Sequence, residues 1–226
     1  MHPTDTTPAR RLAIALAAPS NSGRLQAAMT AGTSPDPSYV EPLIERAGIE
    51  PDFGVREMLT WALLQLPREQ VIERVIAELR AGSQQAQTQA LHTLSKLGDE
   101  RAWPAITGEL LLSENDELAR TAWRAAVACA PAGDRADLAA VLSTQLGRGD
   151  TDIMRSLSRA LVALGAEAEA PIAAARLAAQ ATGDASVLTH AEATERLLAD
   201  PEASFALDPT DAARLGRAHS GARGAH

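Results

Sequence analysis

Cysteine is almost missing from this chain: Cys129 stands alone among 226 residues. No intramolecular disulfide can form, and a single thiol on an apolar helical stretch reads as a small buried side chain in a protein of the reducing cytoplasm. Aromatics are scarce as well, at 3%, and so are the β-branched residues that suit strands, which argues against a sheet protein. Long hydrophobic runs are absent. The one candidate for a leader, Leu12 to Ala18 behind Arg10 and Arg11, has seven residues and carries Asp5 ahead of it, so it reads as a short amphipathic helix rather than an export signal. Nothing approaches the roughly 20 apolar residues that span a bilayer.

Positive charge is the minority sign. Lys and Arg number 21 against 29 Asp and Glu, a net charge of -8, so the average field repels phosphate backbones and disfavours nucleic acid as a partner. The signatures of phosphate-binding loops, dinucleotide folds, helical zinc proteases and redox dithiols are all lacking. Of the five histidines, His2, His219 and His226 sit near the chain ends, while His92 and His190 are far apart. Neither a metal site nor a cofactor is expected, and no catalytic residue is assigned.

What is present is alanine and leucine, within a hydrophobic fraction of 46%. Both are strong helix formers, so the expected class is all-α. The stretches beginning DFGVREML at 52, SQQAQTQA at 83, DELARTAW at 116 and DTDIMRSL at 150 align with steps of 31, 33 and 34 residues. Four apolar columns fall into register: Val55, Ala86, Ala119 and Ile153; Leu59, Ala90, Trp123 and Leu157; Leu63, Leu94, Val127 and Leu161; Leu66, Leu97, Ala130 and Leu164. Apolar residues at offsets of 4, 8 and 11 make a helical stripe, and recurrence at this period marks stacked supersecondary units. Between the aligned stretches lie further stripes: Val71, Ile72, Val75 and Leu79; Ile106 and Leu110; Leu138, Leu142 and Leu146; Ile172 and Leu177. Each unit therefore reads as a helical hairpin, punctuated by Pro67, Gly82, Gly98, Pro131, Gly147, Gly149 and Gly165.

Asp52 with Val55-Arg56, Asp116 with Ala119-Arg120, Leu97-Gly98-Asp99, Leu164-Gly165, and Pro42, Pro104 and Pro171 near first-helix starts carry a resemblance to the HEAT-repeat family. It covers roughly residues 23 to 180. The resemblance implies a right-handed α-α superhelix of about five hairpins, with residues 1–22 as an N-terminal arm or capping helix, 23–200 as the repeat domain and 201–226 as a flexible tail. It also implies a structural ladder of Asp52, Arg56, Asp116 and Arg120 between neighbouring repeats. In the second copy Ser83 and Gln87 replace both partners together, and in the last Met154 takes the Arg column.

In proteins of this kind the second helices line a concave face. Outward positions on them include Thr60, Thr88, Thr121 and Ser158, and a candidate partner-binding row of Trp61, His92, Lys96, Arg124, Arg155 and Arg159. An aromatic followed by basic residues suits an acidic or C-terminal peptide segment. Trp103 and Trp123 sit nearer the packing columns and are assigned to the core. The functional expectation is a non-enzymatic protein-interaction scaffold. Two alternatives follow from the resemblance: HEAT-like enzymes, namely alkylpurine DNA glycosylases and bilin lyases, and an accessory module of a MerR-type transcriptional regulator.

Overall fold

The first N–H groups of a helix have no partner inside it, so a helix starts well where a short polar side chain can accept from them. The computed structural model, which describes residues 7–200 with Phe205 and Leu207, shows such a side chain at a regular interval. The helices are α1 (Pro8–Leu16), α2 (Asn21–Thr33), α3 (Val40–Ala47), α4 (Phe53–Leu63), α5 (Arg68–Ala81), α6 (Gln84–Leu97), α7 (Gly108–Leu111), α8 (Asp116–Cys129), α9 (Arg135–Ser143), α10 (Thr151–Leu164), α11 (Ala166–Thr182) and α12 (Ala185–Ala199). Short 3-10 turns cover Pro37–Tyr39, Glu100–Ala105 and Ala132–Asp134, and no strand occurs among the described residues. The protein is all-α, and none of its described helices is long and apolar enough to cross a membrane.

Every even-numbered helix from α2 to α12, apart from α8, opens on a cap printed in its own sequence: Ser20, Asp52, Ser83, Asp150 and Asp184 each accept from the N–H three residues on. In α8 the sequence nominates Asp116, but Asn115 performs the task, accepting from Leu118 N–H at 2.9 Å. The caps thus fall every 31 to 35 residues. Ser20 and Asp184 extend the pattern by one unit at each end, giving six capped second helices among the described residues, where the sequence suggests about five hairpins. The first helix of the fourth pair is reduced. Pro104 lies inside the 3-10 stretch Glu100–Ala105, and only the four residues of α7 follow.

The apolar columns are buried with two exceptions. Leu63, Leu94 and Leu161 are at 2%, 0% and 0% exposure, but Val127 and Leu97 are half-buried. In α8 the buried face runs through Ala119, Ala122, Trp123, Ala126 and Cys129. Because Asn115 and not Asp116 is the cap, the positions three, seven and eleven after it are Leu118, Ala122 and Ala126, all buried, and Val127 stands one residue past the stripe. Leu177 also departs from its assignment: it is 58% exposed, because α11 buries Ala168, Ile172 and Ala179 instead. Trp123 is fully buried and gives its indole N–H to Leu111 O at 2.9 Å, while Trp103 is half-buried.

Two compact units are distinguished, Met1–Leu110 with Arg124–Cys129, and Leu111–Trp123 with Ala130–His226. In the first, α1 packs on α2 and α3, α2 on α4, α3 on α4, α5 and α6, and both α4 and α5 on α6. In the second, α9 packs on α10 and α11, and α10 and α11 on α12. Residues 201–226 read as tail from sequence. Of these, Phe205 and Leu207 pack against Met154 and Ala193, and the other tail residues, like residues 1–6 of the N-terminal arm, lie outside the described part.

The first unit is centred on a carboxylate that the sequence reading passed over. Glu50 is fully buried. Arg24 of α2 grips it with two 2.8 Å hydrogen bonds, Arg46 of α3 approaches at 2.6 Å, and Asp52 N–H donates at 2.9 Å. Burial pushes this carboxyl upward, but the hydrogen bonds from Arg24, Asp52 N–H and Arg46 outweigh it and bring its pKa to about 2. The Glu50 carbonyl also receives Gln85 from α6 at 2.8 Å and Arg56 from α4 at 3.0 Å. One residue thereby joins α2, α3, α4 and α6.

Two outcomes follow for urea unfolding. Leu94→Ala should cost about 2–5 kcal/mol and Gln65→Ala no more than about 0.5 kcal/mol; similar costs would mean the helical register is misassigned. Glu50→Gln, which leaves Arg24 and Arg46 without their shared charge, should cost about 3–5 kcal/mol, and a loss below about 1 kcal/mol would show that the buried cluster contributes little.

Candidate functional site

Arg56 belongs to the charged pattern of the first aligned copy, and its contacts are local. Its guanidinium donates to Glu50 O and Pro51 O and lies 5.8 Å from the Phe53 ring centroid. Arg24 does the same one repeat earlier, donating to Ala18 O and Pro19 O, and Gln87 one repeat later, donating to Leu79 O. All three stand four residues after a cap. They tie the helix N-terminus to carbonyls of the preceding segment, Arg24 and Arg56 to the linker just before the cap and Gln87 to the last turn of α5. The family resemblance implies a ladder of Asp52 and Arg56 between neighbouring repeats, and these bonds of Arg56 run to backbone carbonyls close by in sequence. Asp52 instead accepts from Asn21 of α2 at 3.1 Å. Asp116 receives Arg148 at 2.7 Å, and Arg120 lies 3.6 Å from Glu117 within its own helix.

Beyond the Asn21–Asp52 and Arg148–Asp116 contacts, other residues form further links across one repeat interval. In the first unit Arg68 donates to Leu97 O, and Arg74 pairs with Glu41 at 2.6 Å. In the second, Arg148 donates to Ser113 O and Arg135 to Ala163 O. Most of these donors reach backbone carbonyls, which a search for charge pairs does not reveal.

The ninth position after each cap gives a column that the sequence reading found in part. In the first unit it holds Met29, Trp61, His92 and Arg124. Asn21 meets Asp52 near the starts of α2 and α4, and Gly32 meets Trp61 near their ends, so these helices run parallel. A Cβ on Gly32 would overlap the Trp61 ring; the glycine is what lets the indole lie flat on α2. Trp61 remains 37% exposed, Met29 39% and Leu25 37%. His92 Nε2 stands 3.1 Å from Glu57 of α4, and Lys96 and Arg124 are exposed. Cys129 donates to Leu94 O across 3.7 Å, setting the end of α8 beside α6. The result is a row on neighbouring helices that passes from apolar Leu25, Met29 and Trp61 to basic Lys96 and Arg124.

Elsewhere in the first unit an open groove of about 340 Å³ lies between α1 and α2, lined by Leu12, Ala15, Ala27 and Ala31 with Arg11 and Tyr39. Arg155 and Arg159, also candidates from sequence, belong to the second unit. Arg155 pairs with Asp152 at 2.7 Å and lies 5.7 Å from the Phe205 ring centroid, and Arg159 is exposed.

The outward hydroxyls are a correction. Thr60, Thr88, Thr121 and Ser158 are 3%, 9%, 1% and 0% exposed. Thr88 and Thr121 donate to carbonyls four residues back, Gln84 O and Glu117 O, so a hydroxyl satisfied within its own helix can be buried. Ser158 enters a network around His190, which is wholly buried. Gly147 N–H donates to Nδ1 at 2.9 Å, so the ring proton is on Nε2, which donates to Met154 O at 2.9 Å and stands 3.0 Å from Ser158 Oγ. Ser158 Oγ lies 2.7 Å from Thr194 Oγ1, which donates to His190 O. This resembles a serine–histidine dyad only in composition: a base would need a lone pair facing Ser158, and that nitrogen bears the proton. Burial likewise raises the Cys129 thiol pKa, the opposite of what activates a nucleophile. Among the described residues no three His, Cys, Asp or Glu side chains gather as a metal site.

No protein-family model matches the chain, and no curated protein matches it in sequence.

Burial lowers the His190 pKa to about 4, against a smaller upward effect of Met154 O. The unfolded chain, with an ordinary value of 6.5, binds this proton first. Stability should therefore be complete above about pH 6.5 and fall towards pH 4, by about 3 kcal/mol in all. Urea unfolding of wild type and His190→Gln across this range checks it; parallel pH profiles would assign the dependence to other groups.

Proposed function

We propose that this chain is a non-enzymatic, HEAT-like helical-repeat module that holds a protein or peptide segment on the second helices of its first unit. The observation that carries the reading is the seating of Trp61. Its ring is fixed against Gly32 yet left 37% exposed, with Met29 and Leu25 on one side and the His92, Lys96 and Arg124 positions on the other. A rigid, partly exposed indole is a strong anchor because little side-chain freedom remains to be lost on binding. The basic end favours a carboxylate, so the segment that fits best presents an apolar side chain to Trp61 and an acidic side chain or C-terminus towards Lys96 and Arg124. Stacking of HEAT type is supported by caps at 31 to 35 residue intervals and by hydrogen bonds such as Asn21 to Asp52, which span one interval.

Lys96 is the one lysine of the chain, so carbon-13 methylation of its amine supplies a single side-chain reporter for NMR. Peptides selected from a displayed library on the wild-type chain should shift this signal, and Trp61→Ala and Arg124→Glu should each weaken their binding at least tenfold with circular dichroism unchanged. Selected peptides that bind both folded variants as tightly as wild type would sink the proposal.

A further inference from the structure

The ninth position after the last cap, Asp184, is Ala193, the counterpart of Trp61. It is 2% exposed. Besides Met154 of the neighbouring α10, the chain's own continuation covers it, since Ala193 and Met154 form a cluster with Leu207, and Phe205 packs beside them. We propose that this face of α10 and α12 is a recognition site for an extended Phe-x-Leu segment, filled in cis by Phe205 and Leu207 and open to the same motif carried by a partner.

The site has features that a generic apolar contact would lack. The Phe205 ring meets His190 edge-on, with centroids 6.2 Å apart and planes at 85°, while the Arg155 guanidinium stands 5.7 Å from its centroid. A perpendicular ring contact and a cation over the ring face thus both bear on Phe205. Both reading groups are held before any segment arrives: His190 by Gly147 N–H and Met154 O, Arg155 by Asp152. Gly147 is in turn fixed by Ser186, whose hydroxyl donates to its carbonyl at 2.9 Å. Spacing agrees too, because residues two apart in an extended chain face the same side. Phe205 and Leu207 offer two side chains whose burial is opposed by the ordering of the segment that carries them, so a competing segment need contribute little more to replace them. The inference rests on the second unit alone and does not depend on the function proposed for the first.

The test uses the full chain and the peptide Ala-Ser-Phe-Ala-Leu-Asp, copied from residues 203–208. With Phe205→Ser and Leu207→Ser combined, the emptied site should bind labelled peptide at least tenfold more tightly than wild type does, by fluorescence anisotropy. Replacing the peptide's phenylalanine by alanine should abolish this. A folded double variant that ignores the peptide, or wild type that binds it equally well, overturns the proposal. Should the double variant fail to fold, the wild-type chain still decides. It has two phenylalanines, so 4-fluorophenylalanine labelling yields two fluorine-19 lines, with Phe53 identified by Phe53→Leu. Excess peptide should move the Phe205 line towards the value of exposed phenylalanine, and a line unmoved at saturation overturns the proposal equally.

Discussion

The need to satisfy helix N-termini governs this protein more strictly than any other constraint. Six second helices start among the described residues, and at each a Ser, Asp or Asn side chain accepts from the N–H three residues ahead. The residue type varies, but the geometry does not. Because the cap fixes where each helix begins, it also fixes which residues face inward: those at three, seven and eleven positions after Asp52 are Val55, Leu59 and Leu63, all buried. The position nine after the cap lies roughly 160° around from that stripe, which leaves it outside the packing requirement and able to hold Met, Trp, His or Arg.

The linkers that precede these caps carry carbonyls of their own, and here the chain uses long donors. Arg24 and Arg56 close onto the two carbonyls just before their caps, and Gln87 reaches one further back. An arginine at this place has donors to spare, and Arg24 turns them towards Glu50. A buried carboxylate alone would be strongly unfavourable. With two guanidinium groups and a backbone N–H around it, Glu50 is instead held ionised, and its own carbonyl binds Gln85 of the next second helix. Helix start, linker closure and contact between successive helices of the first unit are therefore parts of one hydrogen-bonded arrangement.

Much of this was legible where the physics is periodic. Leu63, Leu94 and Leu161 are interior because spacing alone demands it. Asp52 could be read as a cap because its side chain and position suffice. Other features depend on what the chain brings together from afar. Glu50 looks like one more surface acid until Arg24 and Arg46 are placed beside it, and nothing in the local sequence distinguishes it from Glu45. Threonine and serine on helices suggest solvent, yet Thr121 satisfies its hydroxyl on Glu117 O and disappears into the interior. Of the candidate surface, Trp61, His92 and Arg159 are legible as one column and Arg124 as a neighbour of it, while Met29 is not, because Ser20 does not stand out in the sequence as the cap of an earlier repeat. Arg155 was found, although its ring partner lies in a stretch too polar to suggest a core.

The same position after the cap has opposite consequences on α4 and on α12. On α4 the position holds Trp61, a large side chain that covers its own share of helix surface and stays partly wet. On α12 it holds Ala193, too small to cover anything, and the buried methyl is hidden by Leu207. The substitution of a small residue for a large one thus converts the same helical position from a side chain that projects into a surface that receives. An extended segment needs only an alternating pair of apolar residues to complete it, and His190 and Arg155, held by their own partners, add the preference for an aromatic ring in the first place.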